Sequence, residues 1–203
     1  MPVDTLSAKG RQTREAIEQA ARKLFAERGF HGTTLADITS AAGKSPAVFY
    51  RYYADKEDLL AALAGSFLRD IVTPSGLSLH LPDSANDSEF FTSVVTGYWN
   101  MFKQNIGIMI AVAQLATTQQ RFAGVQNEFR RFGMDIVAAS VRRAQEQGHG
   151  TELDPEHTAA AIALLFENFT TVVVGRSSLG LEISDEDAIA TLSTIWKKTL
   201  YGF

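Results

Sequence analysis

The chain has 203 residues and no cysteine, which excludes disulfide staples, thiol catalysis and every thiolate metal site. It has only five prolines, too few for a proline-rich linker or a collagen-like chain. No run approaches the roughly 18 apolar residues a membrane span needs; 108–113 is among the longest apolar stretches. Its first residues, MPVD, lack the basic and apolar regions of a secretory signal. A soluble cytoplasmic protein, with no membrane partner, is the expectation. Positive charge is scarce too: the net charge is −4, which on average argues against nucleic acid. The average hides two segments. Residues 1–53 carry eight Lys or Arg against five Asp or Glu, whereas residues 54–203 carry eleven against eighteen. A slightly basic head precedes an acidic body.

What is present is helical periodicity. With hydrophobic residues at 45%, there is ample material for a buried core. Ala16, Ile17, Ala20, Ala21, Leu24 and Phe25 form one apolar stripe that stops at Gly29. Thr34-Leu35-Ala36-Asp37 has the pattern of a capping box, opening a two-turn helix that ends at Gly43. Ser45-Pro46 offers an N-cap and a proline at the first helical position. Asp55 caps a longer helix to about Val72, with Leu59, Leu60, Leu63, Phe67 and Leu68 on one face. Residues 73–88 read as a loop, and helices are predicted near 88–105, 107–119, 121–147, 155–176 and 185–201, with a glycine-marked break at 175–180. No stretch alternates at period two for long enough to make a sheet. The fold class is all-α: an N-terminal three-helix head over residues 1–54, and a helical bundle over 55–203 joined to it through helix 55–72.

Two short helices joined by a glycine-containing turn, the second opening on small residues, form a helix-turn-helix pattern. The second helix of such a pair lies in a major groove with its N-terminal side chains at base edges. Ser45, Pro46 and Ala47 let that helix approach the duplex closely. Tyr50 and Tyr52 supply hydroxyls and ring faces, while Arg51, Lys44 and Lys56 supply charge for phosphates. Thr33 and Thr34 offer hydroxyls and free N–H groups at a helix start, which suit a phosphate. Arg11 and Arg14, ahead of the first helix, are read as an arm that reaches the backbone. Phe49 and Tyr53 are expected in the core.

Residues 13–63 resemble the TetR family of transcriptional repressors. The resemblance rests on Gly29-Phe30-His31-Gly32-Thr33-Thr34-Leu35-Ala36-Asp37-Ile38, on Ala42-Gly43, on Val48-Phe49-Tyr50-Arg51-Tyr52-Tyr53, and on Asp55-Lys56-Glu57-Asp58-Leu59-Leu60. It implies a DNA-binding head, an apolar ligand tunnel in the helical body, and a dimer built from the last two helices. Where that family's recognition helix often has Gly or Thr near its start, this chain has Pro46-Ala47, so the operator sequence stays open.

Rival chemistry is thinly supported. Gly43-Lys44-Ser45 matches the end of a phosphate-binding loop, but the glycine needed five residues earlier is Ile38, inside a helix. His31, His80, His149 and His157 are never paired at helical spacing, so no metal is expected, and Glu152, Asp154 and Glu156 read as caps for the following helix. Neither catalytic residues nor a cofactor is expected.

Ten of the thirteen phenylalanines lie beyond residue 60, with Trp99 and Trp196. Trp99, Phe102, Met109, Phe122, Phe129 and Phe166 are the candidate lining for a small apolar effector, with Gln114, Gln126 and Asn168 as polar orienting groups. Residues 158–174 are small and apolar over much of their circumference, as a helix buried on both sides would be. The resemblance implies that this helix pairs, with the last helix, against their copies in a homodimer, with Leu165, Val172, Val173, Ile189, Leu192, Ile195 and Trp196 as the candidate interface. A buried central helix of a monomer is the alternative, and two heads one turn apart would read a near-palindromic duplex. The expected function is a sequence-specific DNA-binding regulator, a repressor released by its effector through helix 55–72. An activator, a regulator answering to a protein partner, and an all-helical enzyme are the alternatives.

Overall fold

In the computed structural model, the described residues are 7–72, 88–175, 180 and 182–202, with backbone alone for 70–72. The expected loop over 73–88 falls almost wholly outside them, as do His80, Phe203, the MPVD start and most of the break before Gly180. Among the described residues the chain forms nine α-helices and no strand. They are α1 (Ala8–Arg28), α2 (Leu35–Ala41), α3 (Pro46–Phe49), α4 (Lys56–Val72), α5 (Ser88–Gln104), α6 (Ile106–Ala116), α7 (Gln120–Glu146), α8 (Pro155–Val174) and α9 (Asp185–Tyr201).

Side-chain caps open most of the helices. The Thr34 hydroxyl accepts from the Asp37 N–H while the Asp37 carboxylate accepts from the Thr34 N–H, a complete capping box. Ser45 caps α3 with Pro46 at its first position, Asp55 accepts from the Asp58 N–H at 2.7 Å, Asp154 caps α8 and Ser184 caps α9. One boundary differs from the sequence expectation. Ser7 accepts from the Gly10 N–H and starts α1 at Ala8, so Arg11 and Arg14 lie inside a helix and form no arm.

The chain divides into two compact units, residues 1–70 with 105–126, and residues 71–104 with 127–203; the boundary falls inside α4 and α7. The first unit has a core of Ile17, Phe25, Ile38, Phe49, Leu59, Leu60 and Leu63 from the head, continuous with Ile108, Val112, Leu115 and Phe122 from α6 and the start of α7. The head's core therefore draws on residues far beyond position 54. At the α1–α6 crossing a Cβ on Gly107 would sit 2.5 Å from the Ala26 nitrogen, so the two backbones touch. Arg22 donates to Asn105 Oδ1 at 2.8 Å beside that crossing.

The second unit is held by α5, α7, α8 and α9 around Phe91, Val95, Trp99, Val141, Ile162, Phe166, Leu192 and Trp196. Its two indoles are fully buried and both spend their N–H. Trp99 Nε1 donates to Asp185 Oδ1 at 3.1 Å and Trp196 Nε1 to Ser140 Oγ at 3.1 Å. Leu192 and Trp196 thus belong to the unit's own core, which corrects their assignment to a dimer surface: the apolar stripe of α9 is filled from within.

Candidate nucleic-acid interface and the effector core

The helix-turn-helix is α2, a turn over 42–45, and α3. Gly43 sits at φ 62 in that turn, a conformation that favours glycine. The turn closes with Gly43 N–H donating to Ser40 O and Lys44 N–H to Thr39 O. A four-residue helix such as α3 has no stability of its own, so its pose depends on anchors. Phe49 is one anchor, fully buried; Tyr53, just beyond the helix, is another, and their rings lie 5.7 Å apart. Between and ahead of them Ser45, Pro46, Ala47, Tyr50 and Arg51 are exposed, with Lys44 and Tyr52 half-buried. Tyr50 is 60% exposed, a large ring that meets Phe49 edge-on at 5.8 Å. From residue 38 to residue 54 there is no Asp or Glu at all, so this stretch of chain carries Lys44 and Arg51 without an acid of its own.

Three expected contacts serve the fold instead. Thr33 is fully buried, and its hydroxyl donates to Gly29 O at 2.8 Å and lies 3.3 Å from Leu24 O. Its N–H donates to Phe30 O, so it offers a phosphate nothing. Thr34 spends its N–H and hydroxyl on Asp37, whose carboxylate would also repel a phosphate there. Those bonds hold Asp37 below the usual carboxylate range. Lys56 donates from Nζ to Phe30 O at 2.6 Å and Thr33 O at 2.7 Å, with the ammonium 4.2 Å from the Phe30 ring centroid. It pins the α1–α2 turn, and burial pushes its ammonium below the ordinary lysine value.

The nine effector-lining candidates are not gathered in one unit. Phe122 is fully buried in the first unit's core, under the Arg121 guanidinium at 4.7 Å; Met109, Gln114 and Gln126 also belong to that unit, and Gln114 is exposed. Trp99, Phe102, Phe129 and Phe166 are buried in the second unit. Asn168 is exposed there and shares a stripe with Leu164 and Leu165, which turns it away from any lining. Sequence reasoning missed the polar centre of that unit. The Tyr98 ring packs 5.8 Å from Phe102 and 5.8 Å from Phe166, and its hydroxyl and that of Thr170 are buried without well-formed hydrogen bonds. Burial is the main reason the Tyr98 phenol is raised well above its ordinary value, with the nearby Thr170 hydroxyl pulling weakly the other way. Arg130 makes a two-pronged ion pair with Glu167 on the same stretch of α8, at 2.6 and 2.9 Å. The spacings Tyr98–Phe102 and Phe166–Thr170, each four apart, were the available signal. Among the described residues no group of three metal-ligating side chains occurs.

A helix-turn-helix whose second helix is exposed, small-faced and free of acid, followed by a helical body, defines a DNA-binding transcriptional regulator. The family model for bacterial regulatory proteins, tetR family, matches residues 17–63. Residues 17–63, the head of the chain, are thus similar to that family. Similar proteins include the HTH-type transcriptional repressor AcnR of Corynebacterium glutamicum, 35% identical over 32% of this chain and 36% of that protein. The chain thus spans about a third of AcnR in that match. It is also similar to the HTH-type transcriptional regulator UidR of Escherichia coli, 24% identical over 83% of each. A solved regulator from Saccharomonospora viridis in complex with choline shares the fold, with a TM-score of 0.75, 19% identity, and coverage of 94% of this chain and 98% of that one.

Proposed function

We propose that the protein is a homodimeric repressor that binds a near-palindromic duplex through α2 and α3 and leaves it when a small effector occupies the second unit. The observation that carries the DNA reading is Tyr50, 60% exposed next to Arg51 on an acid-free stretch of chain, between the buried anchors Phe49 and Tyr53. An aromatic ring held out in water has no use inside this fold. Ser45, Pro46 and Ala47 face base edges, Tyr50 and Tyr52 supply ring and hydroxyl contacts, and Lys44 and Arg51 take phosphates. The test is anisotropy binding to a duplex selected by the protein from a randomised pool. Tyr50→Ala is expected to cost about 1–3 kcal/mol on that duplex, and Lys44→Ala to weaken all duplexes and reduce the salt slope by about one. Unchanged affinities for both variants across several salt concentrations sink the assignment.

For the effector, the supporting feature is a cluster of Tyr98, Phe102 and Phe166 beside two buried hydroxyls, those of Tyr98 and Thr170, that lack well-formed bonds. Aromatic walls suit an apolar body, and Tyr98 and Thr170 suit one hydrogen-bonding group on it. The choline bound to the S. viridis neighbour lends support to a small-molecule effector. To release the operator, the effector must prefer the DNA-incompetent state by about 1–3 kcal/mol. A compound that releases the duplex from wild type and equally well from Tyr98→Phe and Thr170→Val would show that the lining is wrong.

The dimer rests on Leu164, Leu165 and Ile195, exposed by 49%, 40% and 37% on α8 and α9. By length and composition alone α8 is apolar enough to cross a membrane. Its Ala159, Ile162, Phe166 and Thr170 pack into the second unit, however, leaving one open stripe of Ala161, Leu164, Leu165 and Asn168. A narrow stripe flanked by protein suits a second copy of the chain. Catalysis has no part in this function, and its place is the cytoplasm, where operator DNA lies.

A further inference from the structure

Tyr53, Glu18 and Arg14 form a closed polar triangle on the first unit, and nothing in the DNA contacts proposed above uses it. The Tyr53 hydroxyl donates to Glu18 Oε1 at 2.5 Å. Arg14 Nε–H lies 2.7 Å from the same Glu18 oxygen and 3.1 Å from the Tyr53 hydroxyl oxygen. The guanidinium carbon is 5.9 Å from the Tyr53 ring centroid. Arg14 and Glu18 are four apart on α1, and their side chains are only about a fifth exposed. Tyr53 comes 35 residues later, immediately after the recognition segment.

The location is what matters. Helix α3 spans four residues, and its orientation is fixed only by what holds its two ends. The Ser45 cap and the α2 turn hold the start. Phe49, the last residue of α3, is held by burial, which is less directional than a hydrogen bond. At the exit, Asp58 accepts from the Ala54 N–H at 3.0 Å, and the bonds that reach across to α1 come from the Tyr53 hydroxyl.

We propose that Arg14, Glu18 and Tyr53 are positioning residues for operator recognition: the triangle fixes the tilt of α3 against α1, so that Ser45, Ala47 and Tyr50 meet base edges in register. The inference rests on the DNA-binding reading. Without the triangle α3 populates several tilts, and the apparent affinity for the correct sequence falls by the fraction left in the competent one. Charge-driven binding to any duplex needs no such register and is untouched.

The test uses the full-length protein, a duplex that wild type selects from a randomised pool, and a scrambled duplex of equal length. Tyr53→Phe removes one oxygen and leaves the ring in place; Glu18→Ala removes the shared acceptor; Glu18→Gln keeps an acceptor for the phenol. On the selected duplex, Tyr53→Phe and Glu18→Ala are expected to weaken binding about five- to tenfold, as loss of one charge-assisted bond implies. The double variant should be no weaker than the weaker single, and Glu18→Gln should recover most of the loss. Affinity for the scrambled duplex and its salt slope should not change. Equal binding by Tyr53→Phe and wild type overturns the proposal. So does a loss shared by both duplexes with a smaller salt slope, which would mean a direct phosphate contact, or a loss that disappears well below the melting temperature, which would mean a role in folding alone. If wild type selects no duplex at all, the DNA-binding reading itself fails, and this inference falls with it.

Discussion

Thr170 is the residue whose chemistry is least explained by the fold. It is fully buried, its hydroxyl makes no well-formed hydrogen bond, and the same is true of the Tyr98 hydroxyl. The two hydroxyls are neighbours in a geometry too poor to satisfy either, and a desolvated hydroxyl so placed costs about 1–3 kcal/mol, so a protein with no use for it would carry valine. Thr170→Val is therefore expected to stabilise the chain by about 1 kcal/mol and raise the melting temperature by about 2–4 °C. Thermal unfolding followed by circular dichroism reads this directly, and a melting temperature that falls would mean that the hydroxyl is satisfied. Lys56 makes the opposite case. Its ammonium closes two carbonyls of the α1–α2 turn at 2.6 and 2.7 Å, so Lys56→Met is expected to destabilise by about 1–2 kcal/mol. A lysine whose work was on phosphate would instead leave the melting temperature unmoved and change only the salt dependence of DNA binding.

At the scale of the helix, glycine and aspartate carry opposite lessons about how far local rules reach. Glycine to alanine inside a helix ordinarily gains up to about 1 kcal/mol, and Gly133→Ala in α7, where an added Cβ meets nothing within 4 Å, should follow that rule. Gly107→Ala in α6 should reverse it and cost about 1–3 kcal/mol, because its Cβ would stand 2.5 Å from the α1 backbone. Chemical denaturation of the pair decides the matter by sign. Caps are legible from residue order alone: Thr34 with Asp37, Ser45 with Pro46, Asp154 with Pro155 and Ser184 with Asp187 all stand where the motif places them, because each bond spans only three residues. The start of α1 is not legible, since Ser7 caps a polar first turn that carries no apolar stripe. Nor is the partner of any stripe. Leu192 and Trp196 resemble an interface because periodicity marks a covered face and is silent on what covers it, and Tyr53 meets Glu18 across 35 residues that no local pattern links. The carboxylates of Asp37, Asp154 and Asp185 are held below their ordinary value of 3.8 by hydrogen bonds that exist only in the folded chain. A depressed folded value stabilises the fold above the unfolded value and loses that contribution as pH falls through the folded one. The melting temperature should be flat down to about pH 5 and drop below pH 4, with a shallower drop in Asp185→Asn.

For the whole molecule the governing quantity is how many heads reach the duplex together. One head offers a four-residue helix and a short acid-free stretch of chain, too little for a tight specific complex on its own. Two heads joined rigidly gain the product of their affinities, reduced only by the ordering the linkage has already supplied, and they read half-sites about 34 Å apart. The proposed linkage is the open stripe of α8 with Ile195 of α9, and it can be cut without touching either core. Leu164 and Leu165 are exposed in the single chain, so Leu164→Glu with Leu165→Glu should change the stability of an isolated chain by no more than about 0.5 kcal/mol per site. Across a symmetric interface the same four carboxylates would face one another and be desolvated, which two copies cannot tolerate. Sedimentation velocity should show a dimer for wild type and a monomer for the double variant, with unchanged helical content. Binding to the selected duplex should then collapse toward the level of a scrambled one. A double variant that stays dimeric would move the interface elsewhere; a monomer that still binds its duplex tightly would mean that one head is enough.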